Sequence, residues 1–152
     1  MSIQVPTFIF LSILGLLAVL SCIDVFKRII PNALSVLILM MTLTAAAFAD
    51  HTIWSEILVR FVVLFIPLIA LYIGGNLGAG DVKLILALLP IIPFNALTDF
   101  AVYTVFFGAL LAIFVLVYIR STPAAQHRTV PYGVAISGAI FVLAAQGKLL
   151  ID

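Results

Sequence analysis

Asp24-Val25-Phe26-Lys27-Arg28-Ile29-Ile30-Pro31-Asn32 is the first charged stretch of the chain, and its reading decides the fold class. The 23 residues before Asp24 carry no charged side chain, and the next uncharged run extends from Ile29 to Ala49. A hydrocarbon core of about 30 Å needs about 20 apolar residues of helix. The stretch therefore reads as a short joint between two membrane-crossing helices, with Pro31 suited to the first turn of the second.

Composition agrees. Of 152 residues, 66% are hydrophobic and 9% charged, and the mean hydropathy is +1.41. A soluble domain carries roughly a quarter charged residues, so the polar surface here is too small to coat one. The expected class is all-α, a polytopic membrane protein with six spans in a single integral-membrane domain over residues 1–152. The first span uses Val5 to Ile23 and the second Ile29 to Ala49. The third runs from Phe61 to Gly75, extended upstream through Ile57 and Leu58. Leu84 to Thr98, interrupted by Pro90 and Pro93, makes a fourth, and Phe100 to Ile119 and Val130 to Gln146 complete the set. A net charge of +1 gives no basic footprint for nucleic acid. The lone Cys22 excludes an intrachain disulfide, and at the end of an apolar run it reads as a small buried thiol.

No base precedes the first apolar run and Lys27-Arg28 follows it, which is unlike a cleavable signal peptide. Alternation then puts Lys27, Arg28, Lys83, Arg120 and Arg128 on the inner side, five of the seven basic residues. Arg60 and Lys148 stay outside, Arg60 positioned to pair with Glu56 one turn earlier. That asymmetry follows the positive-inside rule and predicts both termini outside. Asp50, Glu56, Asp99 and Asp152 fall at outer loop ends. Asp24 and Asp81 alone fall at the inner border, where a carboxylate is costly to keep and reads first as functional. The plainer reading pairs each with a neighbouring base, Asp24 with Lys27 or Arg28 and Asp81 with Lys83.

Ahead of Asp81 stands Gly74-Gly75-Asn76-Leu77-Gly78-Ala79-Gly80, four glycines in seven residues. Such a broken helix end near a membrane border must line a cavity or be buried in protein, and glycine lets another chain approach closely. Gly74 and Gly78 also stand at G-x-x-x-G spacing, which a helix-packing surface would explain equally.

Gly78-Ala79-Gly80-Asp81 resembles the GxGD motif of type IV prepilin peptidases, archaeal preflagellin peptidases and, more distantly, presenilin-type proteases. Asp24 through Ile30-Pro31-Asn32 resembles the first catalytic motif of the prepilin peptidases, and Val130-Pro131-Tyr132-Gly133-Val134-Ala135 resembles the Pro-aromatic-Gly segment of their last helix. The resemblance implies an aspartic endopeptidase of the bacterial cytoplasmic (inner) membrane, with its site facing the cytoplasm. Its substrate would be a prepilin or pseudopilin with a basic leader and an apolar helix, and membrane lipids and pilus assembly machinery would be its partners. Asp24 and Asp81 would be catalytic; Gly78, Gly80, Pro31, Asn32, Lys83, Pro131 and Gly133 would shape the substrate site. The short first connection and the absence of paired cysteines liken the chain to the short, peptidase-only members serving tight-adherence pili. Nothing in the sequence supports methyl transfer.

Two carboxylates held close together share a proton. One can take a proton from water while the other supports the scissile carbonyl oxygen. The sequence does not assign which aspartate does which. No cofactor or metal is expected, since His51 and His127 fall on opposite sides of the membrane. Lys83 could tune Asp81, bind lipid phosphate or anchor the topology. Arg120, His127 and Arg128, around the Ser121-Gln126 loop, read as topology determinants. A transporter or channel subunit using Asp24 and Asp81 for a proton or cation is the competing class, and an inert assembly scaffold is a third. The transporter reading does not explain the Ile-Pro-Asn and Pro-Tyr-Gly segments, and a scaffold would predict that neither aspartate matters.

Overall fold

The computed structural model describes residues 7–49, 54–121 and 130–149. Asp50, His51, His127, Arg128 and Asp152, together with Val5 at the expected start of the first span, lie outside the described residues. Six helices and no strand occupy the described part: α1 (Thr7–Lys27), α2 (Asn32–Phe48), α3 (Trp54–Ile73), α4 (Ala79–Leu88), α5 (Leu97–Ser121) and α6 (Tyr132–Ala145). The all-α class is as expected. Among the described residues, three segments are by length and composition apolar enough to cross a membrane, Thr7–Lys27, Trp54–Ile73 and Phe94–Arg120. The other three helices are shorter.

The fourth apolar run is not one helix. α4 ends at Leu88 and gives way to two 3-10 turns, Leu89–Ile91 and Phe94–Ala96. Pro90 and Pro93 supply no N–H to continue an α-ladder, and each disfavours helical backbone in the residue before it. Arg60 of α3 answers this break. It is 1% exposed, and its guanidinium donates to the carbonyls of Ile92 and, at 3.2 Å, Glu56. The expected pairing with the Glu56 carboxylate is therefore corrected. A carbonyl freed by a helix break has no water inside a membrane, and a buried arginine supplies its partner.

α4 is the centre of the bundle. It packs on α2, α3 and α6, while α1 packs on α2 and α6, and α5 lies against α6. The inward face of α1 is readable in its spacing: Ile9, Ile13, Leu17, Leu20 and Asp24 are its buried residues. They recur every three or four positions, one stripe of a 3.6-residue helix, and Asp24 is its last member. Cys22 lies two positions earlier, about 200° around the helix. It is exposed, not buried as expected, because it faces the membrane side.

Helix ends bring the functional segments to one end of the bundle. α3 closes with Gly75 in left-handed backbone (φ 72°); the Asn76 amide bonds to Leu71 O at 2.9 Å and the Gly75 amide to Tyr72 O at 3.0 Å. This is a Schellman ending. It replaces the G-x-x-x-G packing reading, since Gly74 to Gly78 lie past the last helical residue. α1 ends on Arg28, also left-handed (φ 56°), whose amide bonds to Asp24 O at 3.0 Å. The chain then turns at once into Pro31, the cap of α2.

Candidate active site

A cavity of about 720 Å³ opens at this end of the bundle, and both aspartates line it. Asp24 comes from the last turn of α1 and Asp81 from the first turn of α4, so helices far apart in sequence deliver one carboxylate each. Asp24 is 6% exposed. Asp81 is half-buried.

Each carboxylate accepts a hydrogen bond from a glycine amide. The Gly133 N–H donates to Asp24 Oδ2 at 2.8 Å, with the Val134 amide as a neighbouring backbone donor. The Gly78 N–H donates to Asp81 Oδ2 at 3.0 Å. Gly78 caps α4 and Asp81 is its third helical residue, so the carboxylate reaches back to the cap amide as in half of a capping box. A side chain at either glycine would crowd the carboxylate that its amide holds. A Cβ on Gly133 would lie 2.8 Å from Asp24 Oδ2, and one on Gly78 would lie 2.9 Å from Asp81 Oδ2.

Gly80 has a different task. A Cβ there would lie 2.9 Å from Ile30 Cβ, so its missing side chain lets the α1–α2 joint press onto the first turn of α4. A second tie crosses the same gap: Lys83 Nζ donates to Asn32 Oδ1 at 3.0 Å. Lys83 is thus engaged with Asn32, not simply placed beside Asp81. The close approach expected at Gly80 is made by the protein itself.

Asn32, Gly78, Gly80 and Lys83 line the cavity with the aspartates. Gly133 meets Asp24 directly. Pro31 and Pro131 stand one step back as the caps of α2 and α6. Pro31 O accepts from the Leu34 amide at 3.1 Å, and Pro131 O from that of Val134 at 3.2 Å. Tyr132 and Asn76, to which the sequence assigned no role of their own, also line the cavity, together with Arg28 and Ile30 from the joint between α1 and α2. Tyr132 had a partial signal, since it stands inside the Pro-Tyr-Gly segment. Its ring lies where a Cβ on Gly108 of α5 would come within 3.1 Å, a pairing with no local trace.

A model of the type IV leader peptidase family matches residues 11–117. The chain belongs to that family. The match supports a membrane peptidase, a hydrolase, and gives the transporter reading no support. Within this leader peptidase family member the matched region contains both aspartates, whereas Gly133 lies beyond it. The bond from Gly133 to Asp24 is thus an observation of the tertiary structure alone. Neither a curated protein nor a solved structure matches the chain.

Proposed function

We propose that the chain, acting as one integral-membrane unit, removes the basic leader of type IV prepilin-like proteins, with Asp24 and Asp81 as a catalytic dyad. The observation carrying this reading is that two carboxylates from separate helices face one cavity, each oriented by a glycine amide. Held rotamers on helices are what a catalytic constellation requires.

In the proposed reaction the ionised carboxylate accepts a proton from water, whose oxygen attacks the scissile carbonyl. The protonated carboxyl donates to the carbonyl oxygen, and a proton is returned to the leaving amine as the tetrahedral species collapses. No covalent bond to the enzyme forms. The bonds from the glycine amides leave the second oxygen of each carboxylate for this chemistry. The site belongs to the cytoplasmic side of the inner membrane in this reading, supported by the bases Lys27, Arg28 and Lys83 around it. Leader lysines then sit among anionic head groups while the apolar helix enters the bilayer.

The test is cleavage of a leader-bearing pilin by the purified protein reconstituted in liposomes. A small residue at the cut replaced by Leu is expected to stop cleavage, because the slot is walled by backbone and a tightly packed joint. One leader Lys replaced by Ala is expected only to slow it, since each surface lysine contributes about 1 kcal/mol of attraction to an anionic membrane. Equal tolerance of both changes would remove this account of the site.

A further inference from the structure

Asp24 and Asp81 share one cavity but have different partners. Asp24 accepts the Gly133 amide at 2.8 Å, has the Val134 amide beside it and lies within the field of the Arg28 guanidinium. Asp81 accepts one amide, that of Gly78, at 3.0 Å, and the charge acting on it is that of Asp24. Lys83, two residues further on, is bonded to Asn32 instead. Among the described residues, Tyr132 of α6 completes the titratable lining of the cavity; α2 brings the neutral Asn32, and the chain after α3 the neutral Asn76.

Two carboxylates that repel one another ionise in two steps. Between the steps the charge sits on the member with the better partners. Hydrogen bonds to the carboxylate and a nearby opposite charge both favour ionisation. Asp24 is the more buried of the two, which alone would favour its neutral form. A carboxylate that accepts two backbone amides nevertheless keeps its charge when buried, and the guanidinium acts in the same sense.

The backbone singles out Arg28 as well. It stands in left-handed conformation, φ 56°, just past α1, where glycine is the usual residue. Its amide closes onto Asp24 O at 3.0 Å. Glycine would adopt that backbone without strain, and strained residues of this kind collect at functional sites. The turn that ends α1 thus brings a half-buried cation to the wall of the cavity that Asp24 lines.

We propose that Arg28 is a positioning residue that keeps Asp24 ionised, which makes Asp24 the base that takes the proton from water and Asp81 the carboxyl that donates to the scissile carbonyl. The proposal rests on the peptidase reading and assigns the two roles that this reading leaves unassigned.

Arg28→Gly removes the charge and relieves the backbone together. Loss of the cation disfavours ionised Asp24, so the base is protonated at higher pH. The acid limb of the kcat/KM profile is expected to move up by about one pH unit, with the alkaline limb moving less. Arg28→Met, which keeps a long side chain at the turn, is expected to do the same, and Arg28→Lys to restore the wild-type limb. If Asp81 were the base, removing Arg28 would move the alkaline limb instead. That outcome, or an unmoved profile, would overturn the proposal.

A titration that needs no turnover accompanies these, with isotope-labelled aspartate carboxyls followed by NMR. In the Asp81→Asn protein, adding Arg28→Gly is expected to raise the midpoint of Asp24 by about one pH unit. In the Asp24→Asn protein the same change is expected to leave the midpoint of Asp81 nearly in place. If wild-type protein cleaves no leader-bearing pilin, the peptidase reading fails, and the titrations alone decide on which aspartate Arg28 acts. Equal movement of both midpoints, or of neither, would overturn the assignment.

Discussion

Lys83 Nζ reaches Asn32 Oδ1 at 3.0 Å, a bond between residues 51 positions apart. It ties the start of α2 to the first turns of α4, and those segments flank the two aspartates. A cation here therefore holds the mouth of the site together, beside the contact of Ile30 with Gly80. The bond is exposed, so it orients the joint and adds little to stability.

The first prediction comes from that position. Asn32→Ala and Lys83→Met are each expected to reduce cleavage several-fold without abolishing it. Residues that act through one contact are non-additive, so the double variant is expected to be close to either single. A double-mutant cycle on kcat/KM checks this; full additivity would mean that the two act independently.

Asp24→Asn and Asp81→Asn are each expected to lower cleavage by about 10³-fold or more, with the double variant no worse, as for groups acting as a unit. Membrane insertion and expression are expected to be unchanged. Near-normal processing by Asp24→Asn would exclude the dyad.

Gly133→Ala is expected to inactivate without unfolding. The new methyl would lie within 2.8 Å of the Asp24 carboxylate, so the carboxylate must move and its bond from the Gly133 amide is disturbed. Gly138→Ala on the same helix meets the Phe107 ring at 3.2 Å and touches neither aspartate. Cleavage and thermal denaturation measured together are expected to separate them: activity lost in the first, a small loss of stability in the second.

The pH profile of kcat/KM is expected to be bell-shaped. At low pH both carboxyls are protonated and no base remains to activate water. At high pH both are ionised and none can donate to the carbonyl oxygen. The two limbs belong to the pair and not to either residue. A profile with only one limb across the stable pH range would contradict the shared-proton mechanism.

Orientation is open to cysteine labelling in protein lacking Cys22. Asn76, in the exposed turn before α4, and Asn95, exposed in the second 3-10 turn ahead of α5, lie toward opposite ends of α4. Asn76→Cys is expected to react from the cytoplasmic side and Asn95→Cys from the other. Labelling of Asn76→Cys from outside would overturn the cytoplasmic site.

Much of this protein was written locally. Charge-free runs of membrane length, closed by Asp24 and opened again after Arg28, determined the all-α membrane class, because a helix that crosses lipid must satisfy its own backbone. Pro90 and Pro93 marked where the fourth run weakens. The stripe Ile9, Ile13, Leu17, Leu20 and Asp24 turned one carboxylate inward by spacing alone. What needed the tertiary structure was every choice between protein and lipid as a neighbour. Both are apolar, so hydrophobicity does not separate a buried position from a membrane-facing one, and Cys22 was misread for that reason. Arg60 found Ile92 instead of the Glu56 carboxylate because the break in the fourth run left a carbonyl free. The Gly133 amide reached Asp24 across 109 positions, through the packing of α6 against α1. A backbone donor has no side chain to announce it, so only the fold decided which glycine would hold which aspartate.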